Sequence, residues 1–470
     1  MRLSAPLTSF LVYGLAIVLM KGFSLVTIPL LAWKLPPADF GELDLVTSLV
    51  EFAALFSALG LSELLYRFCA DDTGEAKTNA AALAGTAAIA IAVIMVSLQA
   101  LAAPLHAFAE LGVTQAAFRL ALAGAAVTAL IETPLAWLRL RNRPLAFLGF
   151  IFARAVAQIA LVWTALALGF GASGVLIANA LVDIVLATLL AGTFLRANGM
   201  AVSRVMTARL AVYGMPIVLS GLCMFALGAA NRWFIAGHVS RADMAQYAIA
   251  AKLALATALV IQPFGLWWYP RRLALLSHPG GKAENAAAWL AGLAILSGGA
   301  VAIHLAMPAF VHLALPQAYA TSLQWLPWLI AAIVLNELVS LSNAGAYLGG
   351  HTFRVLAVNA AAAILAIALY ALLIPQHGLA GAIGATLAAH LLRLVSFIAL
   401  SRGNAPVPVT SPATALILLG AMLPALILPG DAGIALALAG ATAAPLLAMA
   451  GLAAARPDLL HLARFHVRRA

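Results

Sequence analysis

The stretch SFLVYGLAIVLMKGFSLVTIPLLAW, residues 9–33, holds twenty-four uncharged residues around a single Lys21. A helix crossing a bilayer needs about 20 apolar residues, whereas the core of a secretion signal takes about 7–15. The stretch is too long for a signal core and lacks a small-residue cleavage site, so it reads as a retained first membrane helix. It also has a counterpart farther along. VYGLAIVL at 12–19 returns as VYGMPIVL at 212–219, and ADF at 38–40 returns as ADM at 242–244. A match that survives across a loop at nearly constant offset is the mark of two related bundles, as in six-plus-six transporters.

The rest of the chain is built the same way. Of its 470 residues, 64% are hydrophobic and 9% charged, with a mean hydropathy of +1.05. A soluble domain carries about 45–50% apolar and about 25% charged residues. This composition cannot cover a water-facing surface, which excludes a soluble enzyme, a secreted disulfide scaffold and a disordered chain. Fourteen spans are predicted, at 9–33, 43–65, 79–103, 113–138, 146–169, 173–195, 211–236, 243–269, 286–313, 321–348, 353–374, 378–400, 412–428 and 433–455. The expected fold is an all-α polytopic membrane protein with about 14 transmembrane helices. A six-helix lobe over 1–200 and a second over 201–402 enclose a central cavity, and residues 403–470 form an appended helix pair with a basic tail.

Basic residues test this map independently of hydropathy, because topogenic Lys and Arg collect on the cytoplasmic side. Arg67 and Lys77, Arg139 to Arg143, Arg196 to Arg209, Arg271 to Lys282, Arg354 and Arg402 all fall in even-numbered loops, while odd-numbered loops keep only Lys34 and Arg241. Both termini are therefore expected in the cytoplasm. The net charge of +10 belongs to topology, not to nucleic acid, since no soluble face exists to display it. Cys69 and Cys223 form no Cys-x-x-Cys pair and no disulfide framework.

Charges inside the spans carry the functional information, since each costs at least about 2.5–3.5 kcal/mol at a helix centre and must face a partner or a wet cavity. The cations are Lys21, Arg119, Arg154, Arg232, Lys252 and Arg393; the carboxylates are Glu51, Glu132, Asp183 and Glu337, with His304 and His390 as weaker members. At about 1.5 Å of rise per residue, Lys21 lies level with Glu51, and Glu132 with Arg154. Such pairs serve either as ion bridges that fix packing or as the lining and gates of a cavity. On the cavity reading, the surplus of cations attracts an anion, and the arginine fork suits phosphate. Gln158, one helical turn beyond Arg154, adds a polar contact for a sugar. The substrate-binding set is then Lys21, Arg119, Arg154, Gln158, Arg232, Lys252 and Arg393, and the ion-coupling or gating set Glu51, Glu132, Asp183 and Glu337. Arg119, Arg232 and Lys252 also allow a plainer reading, as side chains that snorkel to the outer interface. Pro29, Pro134, Pro216, Pro263, Pro308 and Pro327 interrupt spans and mark kinks. Trp267 to Tyr269 read as an interfacial anchor, and Arg464 to Arg469 as a tail near anionic lipid.

No Gly-x-x-x-x-Gly-Lys-Ser/Thr loop is present, so the chain does not supply its own ATPase. No His-Glu-x-x-His or Cys/His cluster offers a metal site. A membrane-embedded glycan polymerase or ligase, which would present acids or histidines on a sizeable outer loop, is the weaker alternative with loops this short. Any energy source is therefore H+, Na+ or the membrane potential, and no cofactor is expected.

A resemblance extends these readings. YGLAIVLMKGFSLVTIPLLAWKLPPADFGELDLVTSLVEFAALFSALGLSELLYRF, residues 13–68, resembles the opening of the polysaccharide flippases of the multidrug/oligosaccharidyl-lipid/polysaccharide exporter superfamily. Pro-x-x-x-Phe-Gly at 36–41 and Gly-Leu-x5-Arg-Phe at 60–68 carry it, with support from LRLRNRP at 138–144, NRWFIAGHVSRADMAQYAIAAKLA at 231–254 and GLAGAIGATLAAHLLR at 378–393. It implies two lobes that open alternately to each side of a bacterial inner membrane. The implied cargo is an undecaprenyl-pyrophosphate-linked oligosaccharide, moved to the periplasmic leaflet for O-antigen, capsule or exopolysaccharide assembly beside polymerase and export machinery. Where relatives often end span seven with Asp-Arg, this chain has Asn231-Arg232. The alternative on the same fold is an ion-coupled drug or cation antiporter, which Lys21 disfavours and Glu51 and Asp183 favour.

Overall fold

The structure, a computed structural model, describes residues 26–69, 74–348, 352–428 and 433–456. Lys21, most of the first predicted span and the Arg464 to Arg469 tail lie outside these residues. Among the described residues the fold is helical with no strand. Ten helices are long and apolar enough to cross a membrane, eleven when the bent pair Gln317–Gln324 and Leu326–Ser342 counts as one span. The long helix Thr352–Ser401 breaks at Gly378, whose φ of 54° is one that glycine adopts without a Cβ clash. That break splits it into two spans, and Pro412–Ile427 is a shorter apolar helix. From the second predicted span onward, the described helices follow the fourteen-span order.

The chain divides into two compact units, Met1–Ala236 with Ser240–Ala245, and Gly237–Val239 with Gln246–Ala470. In the first unit, helix α1 (residues 26–34) leads to α2 (Pro37–Ala58), α3 (Leu61–Phe68), α4 (Gly74–Phe108), α5 (Gln115–Ala126), α6 (Ala129–Leu140), α7 (Pro144–Ala167) and α8 (Gly171–Asn198). Helix α2 starts six residues earlier than hydropathy alone predicts. Pro37 sits in its first turn, where a missing N–H costs nothing, and Asp39 complements the positive end of the helix. Glu42 and Asp44 thereby become helical and buried instead of lying in or beside a loop. Between α2 and α3, Leu59 and Gly60 both take left-handed backbone angles, φ 49° and 66°. The core beneath α3 and α6 is built from Leu61, Leu64, Leu65, Leu83, Trp137 and Phe194.

Span seven is composite. A short α9 (Arg204–Arg209) passes through one π-helical turn, Leu210–Gly214, into α10 (Met215–Gly228) and then α11 (Asn231–Ala236). Pro216 lies in the first turn of α10 and donates no bond to the turn behind it, which is where the helix widens. A Cβ on Gly214 would strike the Leu59 carbonyl oxygen, so the π turn and the α2/α3 break meet backbone to backbone.

The second unit contains α12 from Gln246 onward (the whole helix is Arg241–Ala254), α13 (Ala256–Leu276), α14 (Gly281–Ala314), α15 (Leu326–Ser342), α16 (Ala344–Tyr347), α17 (Thr352–Ser401), α18 (Pro412–Ile427) and α19 (Ile434–Ala455). The two last helices pack on α14 and on each other through small residues. A Cβ on Gly298 would meet Pro445, and one on Gly451 would meet the Leu416 carbonyl, the close approach that lets helices pack by dispersion in lipid. The aromatic anchor at 267–269 is narrower than predicted: Trp267 is exposed under Arg271, while Trp268 is buried.

Candidate functional site

A cavity of about 210 Å³ lies within the first unit, lined by Thr27 and Leu31 of α1, Ile151, Arg154 and Gln158 of α7, and Asn179 of α8, among others. Helical spacing explains the pairing of Arg154 with Gln158, four residues apart on one face of α7. Arg154 Nε donates to Asp183 Oδ1 at 2.9 Å and its Nη2 lies 2.8 Å from the same oxygen. The anticipated bridge between Glu132 and Arg154 is thus made instead by Asp183, because α7 and α8 pack along their length and bring that carboxylate against Arg154. Glu132 is exposed and feels Glu63, Arg154 and Arg139 through space. One edge of the guanidinium is held by Asp183, and the remaining donors border a cavity whose other polar groups are a hydroxyl and two amides. Such a site can hold an anionic group by the fork and hydroxyl groups by the amides.

The other predicted cations fall elsewhere. Arg232 forms an ion pair with Asp44, Nε to Oδ2 at 2.8 Å, and its Nη1 donates to the Gly228 carbonyl at 3.0 Å and to Asn231 Oδ1 at 3.3 Å. The carboxylate missing next to Arg232 in sequence is therefore supplied from α2. Two residues away, Glu42 pairs with Arg241 at 2.8 Å while its Oε1 accepts from the Gly112 amide at 2.9 Å. Trp233 Nε1 donates to Ser48 Oγ at 3.1 Å and stands edge-on to Phe52. Together these bonds clamp the start of α2 to the end of span seven and the start of α12. Arg119 is exposed near the start of α5, and its carbonyl accepts from Gln99. Glu51 is exposed and Lys252 half-buried. Lys21 and its pairing with Glu51 lie outside the described residues.

In the second unit Arg393 is buried in an amide cage. Its Nε donates to Asn359 Oδ1 and its Nη1 to Asn336 Oδ1, each at 3.0 Å, with His390 Nδ1 at 3.4 Å. Glu337 accepts from Asn336 Nδ2 at 3.4 Å. Of the predicted site residues, the structure brings Arg154, Gln158 and Asp183 together in one place and Arg393 and Glu337 in another. Thr27, Asn179, Asn336 and Asn359 were not singled out in the sequence because they are uncharged, and Glu42 and Asp44 because hydropathy placed them at or outside the start of the second span, whereas the helix begins at Pro37. Among the described residues no three His, Cys, Asp or Glu side chains are grouped to hold a metal ion.

Long apolar helices with ionised and amide side chains buried among them define a polytopic membrane protein. The chain belongs to the polysaccharide biosynthesis protein family, whose profile matches residues 7–272. Its fold is similar to that of the lipid II flippase MurJ in an inward closed conformation, with a TM-score of 0.70 at 9% identity, over 97% of this chain and 98% of that one. It is also similar to the multidrug transporter DinF-BH of the MATE family, with a TM-score of 0.58 at 15% identity, over 85% and 95% of the two chains. A further MATE family transporter in an inward-facing conformation gives 0.55 at 18%, over 83% and 93%. At these identities the likeness is one of fold. No curated protein matches the chain in sequence.

Proposed function

We propose that this chain flips an undecaprenyl-pyrophosphate-linked oligosaccharide from the cytoplasmic to the periplasmic leaflet of a bacterial inner membrane, for assembly of O-antigen, capsule or exopolysaccharide. The observation that carries the reading is Arg154, whose fork borders a cavity shared with Gln158 and Asn179. The guanidinium offers parallel donors to a phosphate and the amides offer both donor and acceptor to a sugar. An outward-moving headgroup with about two negative charges gains up to about 4.6 kcal/mol per 100 mV of inside-negative potential. The lobes 1–200 and 201–402 are the moving bodies of an alternating-access cycle. The prenyl tail stays in lipid, polymerase and export proteins take the product, and Glu51, Glu132, Asp183 and Glu337 are the carboxylates available to couple H+ or Na+.

The second reading, an ion-coupled drug or cation antiporter, draws on Asp183 beside the same cavity. Depletion of the protein in its host separates the two. Accumulation of a prenyl-pyrophosphate oligosaccharide, seen by mass spectrometry and reversed by wild type, supports the flippase; unchanged lipid intermediates with altered sensitivity to cationic compounds support the antiporter.

A further inference from the structure

The Gly-Leu-x5-Arg-Phe motif and the repeated Tyr-Gly motif meet in the fold, and neither is used by the Arg154 cavity. Arg67 Cζ lies 4.5 Å from the centre of the Tyr213 ring and 5.8 Å from that of Phe68, while Arg209 Cζ lies 4.4 Å from the same Phe68 ring. The two rings touch edge to face at 5.8 Å between centres. Beside them Arg139 stacks over Tyr66 at 5.9 Å and over Phe147 at 5.6 Å, and Arg141 acts on Cys69. Glu63, one turn before Arg67, acts through space on Tyr66 and Glu132. The ion pairs of Arg154, Arg232 and Arg241 do not involve Arg67 or Arg209.

Two like charges gathered on one aromatic ring repel each other, and a stacked guanidinium uses its face while leaving its in-plane N–H groups free. Such a pair is complete when an anion bridges it. The backbone is shaped to bring the pair together: the left-handed Leu59 and Gly60 redirect α3, and the π turn at Leu210–Gly214 carries Tyr213 between its flanking Arg209 and Gly214. Two irregular turns, in contact through Gly214 and Leu59, hold one basic cluster. π turns often stand at functional sites. Arg67 and Tyr213 are exposed and Arg209 half-buried, so the cluster is open to a headgroup at the membrane surface.

We propose that Arg67 and Arg209, stacked on Phe68 and Tyr213, form a capture site for the diphosphate of a lipid-linked substrate at the cytoplasmic surface, separate from the Arg154 cavity. The site rests on the flippase reading for its cargo, though not for its anion chemistry. The shared chemistry is a phosphate-bearing headgroup, supplied by the diphosphate carrier or by bulk anionic phospholipid.

The test uses the full-length protein in phosphatidylcholine nanodiscs, with labelled inorganic pyrophosphate and farnesyl diphosphate as probes and phosphatidylglycerol vesicles as competitor. The expected result is binding of both probes by wild type, weakened at least about tenfold in Arg67→Ala/Arg209→Ala, since hydrogen bonds to charged groups contribute about that much each. Arg67→Lys/Arg209→Lys keeps the charge, loses the fork and falls between the two; Arg271→Ala, stacked on Trp267 elsewhere, binds as wild type. The lysine variant keeps the measurement informative should the alanine variant fail to fold. Equal binding by wild type and both double variants overturns the site and leaves the flippase reading intact. Displacement of farnesyl diphosphate by equimolar phosphatidylglycerol overturns its assignment to the substrate. Lost binding in the alanine variant, with no lipid-linked intermediate in the depleted host, removes the flippase reading and keeps an anion site.

Discussion

Two arginine–aspartate pairs in the first unit share one chemistry and differ in setting. Arg154–Asp183 and Arg232–Asp44 both close to 2.8 Å, yet the side chains are 30% and 20% exposed in the first pair and 13% and 3% in the second. Arg232 spends its donors on a carboxylate, a backbone carbonyl and an amide oxygen. Arg154 spends one edge on Asp183 and leaves the rest to the cavity. A cation enclosed on all sides fixes a helix; a cation with half of its fork open can hold a ligand. Arg393, enclosed by Asn359, Asn336 and His390, sits with the enclosed kind.

The sharpest way to break this contrast is to remove one member of the enclosed pair. Asp44→Ala leaves the half-buried Arg232 without its buried carboxylate and is expected to cost up to about 3–5 kcal/mol, read as a large fall in the thermal midpoint of the purified protein. Asp44→Ala/Arg232→Ala should recover part of the loss, and a neutral Asp44→Ala would put the two pairs in one class. Next, Lys21→Ala/Arg154→Ala is expected to abolish transport while the protein remains inserted and folded. The Arg154 part should change stability by only about 1 kcal/mol, the scale of a partly solvated pair. Smaller again, Asn179→Ala or Gln158→Ala removes one neutral hydrogen bond, about 0.5–1.5 kcal/mol, and should slow transport by about two- to tenfold. Least of all, Glu42→Gln loosens a bridge whose arginine is 27% exposed. Its effect on stability should be about 1 kcal/mol or less and shrink at high salt.

Hydropathy and basic-loop alternation made the helical architecture legible, because lipid leaves little choice of backbone structure. From the second span onward the predicted order has its helices among the described residues, including the break near Gly378. What the sequence did not disclose is azimuth. Depth along a helix follows from residue count, so Glu132 and Arg154 are level, but which side chain faces which depends on how helices rotate when packed. Asp183 takes Arg154 for that reason. Asp44 and Arg232, 188 residues apart, meet only through the tertiary fold. The Leu59–Gly60 turn and the π turn ahead of Pro216 were equally hidden, since an apolar window reads the same through a regular or an irregular turn. Arg154, Gln158 and Asp183 were legible as residues worth attention, and Asn179 and Thr27 were not, because neutral polar groups are common in membrane helices at little cost.

The most direct test of the account is the pool of lipid-linked intermediates in a host depleted of this protein, measured by mass spectrometry after return of wild type, Arg154→Ala or Arg154→Lys. The account predicts that a prenyl-pyrophosphate oligosaccharide accumulates on depletion and is cleared by wild type. Arg154→Lys should clear it weakly, and Arg154→Ala not at all despite normal insertion. Clearance by Arg154→Ala at the wild-type rate would contradict the cavity as the cargo site.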